Sequence, residues 1–260
     1  MGQADDRSEL RQAKRVFLSA EWRHLLMLNY EVDPALLEKF VPHGTELDSY
    51  AGKTYVSLVG FQFLRTRLFG FFPVPFHTNF DEINLRFYVR RRVGGTVRRG
   101  VVFIREIVPR RAIAALARLV YGEKYVSLPM RHKVQFNAEN IETHYEWLGR
   151  GKWGGLHAEA DGKPNLPAEG SVEQFITEHY WGYAMQPRGA CIEYEVKHEP
   201  WRVWNCTNIS FDGYATDLYG AALAKAVHDK PVSAFLAEGS PVEVFSGKHI
   251  ARSNASRSGR

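Results

Sequence analysis

Phe80-Asp81-Glu82-Ile83-Asn84-Leu85-Arg86-Phe87-Tyr88-Val89-Arg90-Arg91-Arg92 runs through Val93-Gly94-Gly95-Thr96 into Val97-Arg98-Arg99-Gly100-Val101-Val102-Phe103-Ile104-Arg105-Glu106-Ile107-Val108. Leu85, Phe87 and Val89 alternate with Arg86, Tyr88 and Arg90, so a strand over 82–92 carries one apolar and one polar face. The paired glycines supply the positive φ angles of a tight turn. The stretch therefore reads as a β-hairpin whose second strand covers 97–108.

The same composition recurs outward from this hairpin. Residues 54–63, 130–136, 141–147, 190–196 and 203–211 are rich in β-branched and aromatic side chains and predict further strands. Helices are fewer. Asp33-Pro34 caps a short one through Phe40, and Pro109 opens a second that Gly122 ends. Ser171 with Gln174 forms a capping box for a third, to about Tyr180, and a fourth covers 215–227. The pattern predicts an α+β, mostly-β fold in one domain over residues 15–250. A polar arm (1–14) precedes it and a disordered tail (251–260) follows.

With 260 residues, 45% of them apolar and 24% charged, the chain has the composition of an ordinary globular protein and needs no covalent staple. Its 2 cysteines, Cys191 and Cys206, cannot build a disulfide framework. The N-terminus lacks a secretory apolar run, and Pro73 and Pro75 break the apolar stretch 68–76, so a soluble cytoplasmic protein without a membrane span is expected. Net charge is +5, but residues 86–118 hold ten arginines and one acid, Glu106. That segment is +9 and the remainder −4, so the basic character is local.

Most chemical motifs fail on context. Gly149-Arg150-Gly151-Lys152-Trp153-Gly154 fits GxGxxG, but a strand-like segment follows where the dinucleotide fingerprint needs a helix, so a loop is expected. No GxSxG elbow and no HExxH occurs, and His157-Ala158-Glu159 lacks the later PCxxC of a zinc deaminase. Neither a metal nor a cofactor is expected. An arginine-rich hairpin suits nucleic acid electrostatically. Arginines alternating with core residues suit a solvated face, internal ion pairs or a pocket better, which argues against nucleic acid.

The order of these segments resembles the YqjF-like family, an uncharacterised branch of the acetoacetate decarboxylase-like superfamily. The likeness runs from about Phe17 to Phe245, and its specific parts are the strand from Glu82 to Val89 and Lys197-His198-Glu199-Pro200-Trp201. It implies an antiparallel β-barrel or cone with a few flanking helices around a central cavity. In the decarboxylases a glutamate and a lysine face that cavity. The lysine forms a Schiff base with a β-keto acid, and a second lysine keeps the first partly neutral and nucleophilic. Glu82 falls on the glutamate, and Arg118 and Gly122 fall on an arginine and on the glycine before the lysine motif. Without a gap, Tyr125 stands at the Schiff-base position and Val126 at its neighbour's; Lys124 comes one residue early, an offset that turns a strand side chain to the opposite face.

The candidate catalytic residues are thus Glu82, as general acid or base, and Lys124, as nucleophile if the turn shifts register. The candidate substrate-binding residues are Arg86, whose planar fork suits a carboxylate, Arg118, Tyr125, His132, His198 and Trp201. Plainer roles exist for each: an ion pair between Glu82 and Arg86, a solvated turn lysine, structural histidines, core aromatics. Two functions follow. One is a small organic acid or carbonyl-bearing metabolite bound in the cavity, catalysis left open. The alternative is a non-catalytic interaction module whose hairpin 86–118 contacts an anionic macromolecule. A homo-oligomer is compatible with either.

Overall fold

The structure is a computed structural model and describes residues 15–73, 78–110, 124–137, 140–186 and 189–250. The quoted hairpin forms its frame. β5 (Phe80–Val93) and β6 (Thr96–Val108) are antiparallel and turn at Gly94 and Gly95, both at positive φ (53° and 80°), with Val93 opposite Thr96. That geometry suits the right-handed twist of the strands it joins.

Strands add to both edges until the sheet meets itself. β3 (Thr54–Leu68) pairs with β5, and β1 (Val16–Val32) pairs with β3. β14 (Ser233–Phe245) pairs with β1 and, through Val242–Val244, with β12 (Cys191–His198). β12 pairs with β11 (Trp181–Met185), which lies parallel to β6 at Gly100–Val101. The circuit β6–β5–β3–β1–β14–β12–β11 is therefore a closed ring of hydrogen-bonded strands, a barrel. β7 (Tyr125–Ser127) lies parallel to the far end of β6, while β2 (Glu46–Leu47), β4 (Phe72–Pro73) and β15 (Lys248–Ile250) are short additions to β5, β3 and β12.

A second layer leaves the ring through β14. Its Phe235–Ala237 stretch pairs β13 (Val203–Phe211), and β10 (Lys152–Asp161), β9 (Asn140–Gly149) and β8 (Met130–Phe136) follow in order. This layer covers the outside of the barrel. Ile83, Leu85, Phe87 and Val89 of β5 are fully buried there among Tyr145, Trp147 and Leu156. Burying four such side chains is worth about 6–12 kcal/mol before entropy is counted. The polar face of β5 consequently points into the barrel, inverting the usual arrangement. β1 keeps one apolar face inward despite a bulge at His24 (φ 52°), which puts Ala20 and Leu25 on the same interior cluster.

Among the described residues three short helices complete the fold. α1 (Val172–Thr177) starts where Ser171 Oγ accepts from the Gln174 backbone N–H at 3.2 Å; the Gln174 side chain accepts from the Gly170 N–H at 2.7 Å, one residue earlier than a standard box. Its Phe175 and Ile176 pack into the barrel interior. The stretch 215–227 is two helices, α2 (Thr216–Tyr219) and α3 (Ala221–His228), because Gly220 at φ 80° breaks the run. The segment capped by Asp33 forms two 3-10 turns, Pro34–Leu36 and Glu38–Phe40, with no buried residue in either to sustain an α-helix. Arg150 and Gly151, at φ 49° and 77°, are the two-residue turn between β9 and β10, so the GxGxxG match is a hairpin. The expected helix from Pro109 to Gly122, Arg118 within it, the arm and the tail lie largely or wholly outside the described residues. No helix among the described residues is long and apolar enough to cross a membrane.

Candidate functional site

The barrel interior is not filled. Every strand of the ring, together with Tyr125 and the residues after α1, lines a cavity of about 140 Å³. That is close to the volume of an apolar cavity that takes up benzene, so a ligand of about six heavy atoms fits. The walls are mostly aromatic and aliphatic. The polar groups are concentrated on β5, where alternation brings Glu82, Asn84 and Arg86 to the same face.

Glu82 is 2% exposed. One carboxyl oxygen accepts from Asn84 Nδ2 at 2.9 Å and the other from the Tyr125 hydroxyl at 3.2 Å. Burial pushes its pKa up to about 7, although both hydrogen bonds and the charge of Arg86 pull the other way. A carboxyl that gains and loses its proton near neutrality is suited to acid–base work. Glu106, 1% exposed, stands opposite Asn84 on β6 and lines the same cavity.

Arg86 is 92% buried, at 8% exposure, and no carboxylate of the described residues pairs with it. One Nη donates to the Ile176 carbonyl at 3.2 Å, and Nε has no hydrogen-bond partner. An incompletely satisfied buried guanidinium is costly, and Arg86 is part of the cavity wall, where a carboxylate would offset its charge.

His198 and Trp201 form one wall, their rings stacked at 4.2 Å with 19° between planes. Trp201 Nε1 donates to Ser240 Oγ at 2.9 Å. Burial lowers the His198 pKa to about 4, so the ring is neutral at pH 7; Nδ1 faces the Glu199 carbonyl at 2.8 Å and must carry the proton, leaving Nε2 an acceptor. His179 is also held neutral, its pKa lowered by burial to about 4, with Asp48 Oδ2 at 3.7 Å from Nε2.

Two expected site residues stand elsewhere. The Lys124 ammonium lies over the Phe40 ring at 5.0 Å, and Phe40 packs on the outer core, so Tyr125 and not Lys124 reaches the cavity. The cause is the one-residue offset on an extended backbone. His132 is on β8, in the outer layer, where Nδ1 meets Asp81 Oδ2 at 2.9 Å and Nε2 meets Gln62 at 2.8 Å. It ties the two layers together outside the barrel. Arg118 lies outside the described residues. Conversely, Asn84, Glu106 and His179 join the site without having been expected. Asn84 shares the parity of Glu82 and Arg86, and Glu106 was the lone acid among ten arginines, so both carried a signal; His179 carried none.

The hairpin arginines are largely paired within the chain. Arg91 and Arg98 meet Glu193 at 3.0 and 2.6 Å, Arg99 meets Asp48 at 2.7 Å, and Arg90 meets Glu46 at 2.8 Å. Among the described residues no group of three His, Cys, Asp or Glu side chains is placed to share a metal ion.

The closed ring of strands, antiparallel except where β11 joins β6, has the fold of solved acetoacetate decarboxylase-like proteins. An acetoacetate decarboxylase from Legionella pneumophila superposes with a TM-score of 0.60 at 14% identity, over 90% of this chain and 87% of that one. The enduracididine biosynthesis enzyme MppR in complex with pyruvate gives 0.59 at 14% identity, over 93% and 92%. Residues 19–241 match the model of the DUF2071 family, described as an uncharacterized conserved protein, and the chain belongs to that family. It is 25% identical over 207 residues to the uncharacterized protein YqjF of Bacillus subtilis strain 168, covering 79% of this chain and 82% of the relative.

Proposed function

We propose that the barrel binds a small oxo acid, its carboxylate on Arg86 and its carbonyl at the Glu82–Tyr125 pair, and that Glu82 moves a proton on the carbon beside that carbonyl. The observation that carries this reading is Arg86: a buried cation with no carboxylate partner among the described residues, lining a cavity of about 140 Å³. As a carboxylate, Glu82 takes the α-proton; the C–H electron pair moves into an enolate whose oxygen the Tyr125 hydroxyl stabilises, and the proton returns from the same carboxyl. Among the described residues a Schiff-base route lacks its nucleophile. No lysine lines the cavity among the described residues, and residues 111–123 contain none in sequence. The pyruvate bound by MppR, on the same fold, supports the ligand class.

The experiment is calorimetric titration with pyruvate combined with loss of its methyl proton signal in D₂O. Wild-type protein is expected to bind and to exchange those protons. Glu82→Gln keeps binding and loses exchange, while Arg86→Gln loses at least about tenfold in affinity, the worth of hydrogen bonds to a charged group. Unchanged affinity in Arg86→Gln, or no binding of either pyruvate or acetoacetate, overturns the assignment. Borohydride added with acetoacetate is expected to leave the protein mass unchanged, and an adduct on any lysine restores the covalent route.

A further inference from the structure

A second concavity, distinct in composition from the barrel cavity, opens on the surface beside α1. It is a groove of about 440 Å³ walled by Tyr50, Phe175, Tyr180 and Trp181, with Arg99 on one side. This volume lies in the range of small-molecule sites, and the mixture of flat rings with one cation is the composition such sites use. Trp181 also lines the barrel cavity, so the two spaces meet at this residue.

Arg99 is built to present half of its fork. Its Nε donates to Asp48 Oδ2 at 2.7 Å, and Asp48 is 3% exposed, so the anchor is fixed from behind. Burial raises the Asp48 pKa, but the nearby His179 ring and the hydrogen bond and charge of Arg99 outweigh that and lower it to about 2, keeping the anchor charged. The guanidinium carbon lies over the Phe175 ring at 4.8 Å. Neither Nη has a hydrogen-bond partner among the described residues, while the side chain is 41% exposed along the groove. The other charge on the groove, Glu178, is turned onto Gln174 Nε2, which donates to its two oxygens at 3.2 and 3.3 Å. A guanidinium oriented by a buried carboxylate, stacked on one ring and facing three more, is matched by a flat body carrying a carboxylate.

We propose that this groove is a second ligand site, taking a planar aromatic molecule with one carboxylate, which the Nη edge of Arg99 receives while the ring system lies against Tyr50 and Trp181. The site is separate from the barrel cavity, since among the described residues Trp181 alone lines both.

The test uses 2-naphthoate and its neutral counterpart 2-naphthamide, titrated calorimetrically into the full chain. Naphthoate is expected to bind at least about tenfold more tightly than the amide, because only it makes charge-assisted bonds. Arg99→Gln is expected to remove that difference, and Tyr50→Ala to weaken both compounds about threefold to tenfold through lost stacking. If loss of the Asp48 partner prevents Arg99→Gln from folding, Arg99→Lys, which keeps a charge for Asp48 but not the fork, is expected to lose about tenfold for naphthoate. Arg86→Gln, which changes the barrel side of α1 and no residue lining the groove, is expected to leave naphthoate affinity within about threefold. Equal binding of acid and amide, no binding of naphthoate, or an unchanged affinity in a folded Arg99 variant overturns the proposal. So does loss of binding in Arg86→Gln, which would place the compound in the barrel.

Discussion

Replacing Glu82 by glutamine probes the central electrostatic feature of the barrel through stability alone. Burial raises this carboxyl from its ordinary 4.5 to about 7. Below pH 4.5 folded and unfolded chains both hold the proton, so its full contribution is present. Between 4.5 and about 7 only the folded chain holds it; unfolding releases a proton, and stability falls by about 1.4 kcal/mol per pH unit. Above about 7 both states are charged and the loss is complete, about 3 kcal/mol in all. Glutamine mimics the neutral acid, accepting from Asn84 and still meeting Tyr125, so it removes this dependence and little else. Urea unfolding of both proteins at pH 5, 6, 7 and 8 is the assay, read as the difference between wild type and variant at each pH. The variant should gain on the wild type steadily with pH, by nearly the whole of that amount by pH 8. A difference that stays flat, or shrinks with rising pH, refutes the claim that burial holds Glu82 protonated, and the proton-transfer reading with it.

Three further outcomes follow. Gly239→Ala should destabilise the fold by at least about 3 kcal/mol in urea, because a Cβ there would stand 1.9 Å from the Trp22 carbonyl oxygen at a φ of 79°. Glu193→Gln should cost about 3 kcal/mol by the same measurement, since this carboxylate, 5% exposed, accepts from Arg91, Arg98 and the Tyr183 hydroxyl together. NMR titration should place the His132 midpoint above 6.5, raised chiefly by its hydrogen bond to Asp81, and Asp81→Asn should bring it back. The stabilisation from that pair is present at low pH and lost as pH rises through the raised midpoint, so a His132 midpoint at or below 6.5 contradicts the contact.

The hairpin at β5–β6 and the strands over 130–136 and 203–211 were legible because alternation or β-branched composition survives in them intact. The long strands β1 and β14 were not. Leu25-Leu26-Met27-Leu28 is apolar on both faces, since one faces the barrel interior and the other the second layer, so no period of two remains. β14 mixes Ala, Gly, Ser and Pro where it changes partners, a composition that local propensity reads as a turn. Glu82 and Arg86 were found because one strand carries both. The position of His132 was not legible because sequence does not reveal that its strand belongs to the outer layer; for Lys124 the offset already pointed away from the cavity, and the register left open at the turn is set by the pairing of Glu106 with Tyr125.

The ring closes between its most distant partners: Val16 pairs with Phe245, and Leu18 with Val244. A nascent chain therefore cannot shut the barrel until nearly all of it has left the ribosome. Until then the inward face of β5, with Glu82 and Arg86, is open to solvent and adjacent strand edges stand unpaired. Closure across so large a sequence separation also carries a high loop entropy, which places this protein among the slow folders and makes the final strand, rather than any early hairpin, the step that creates the binding site.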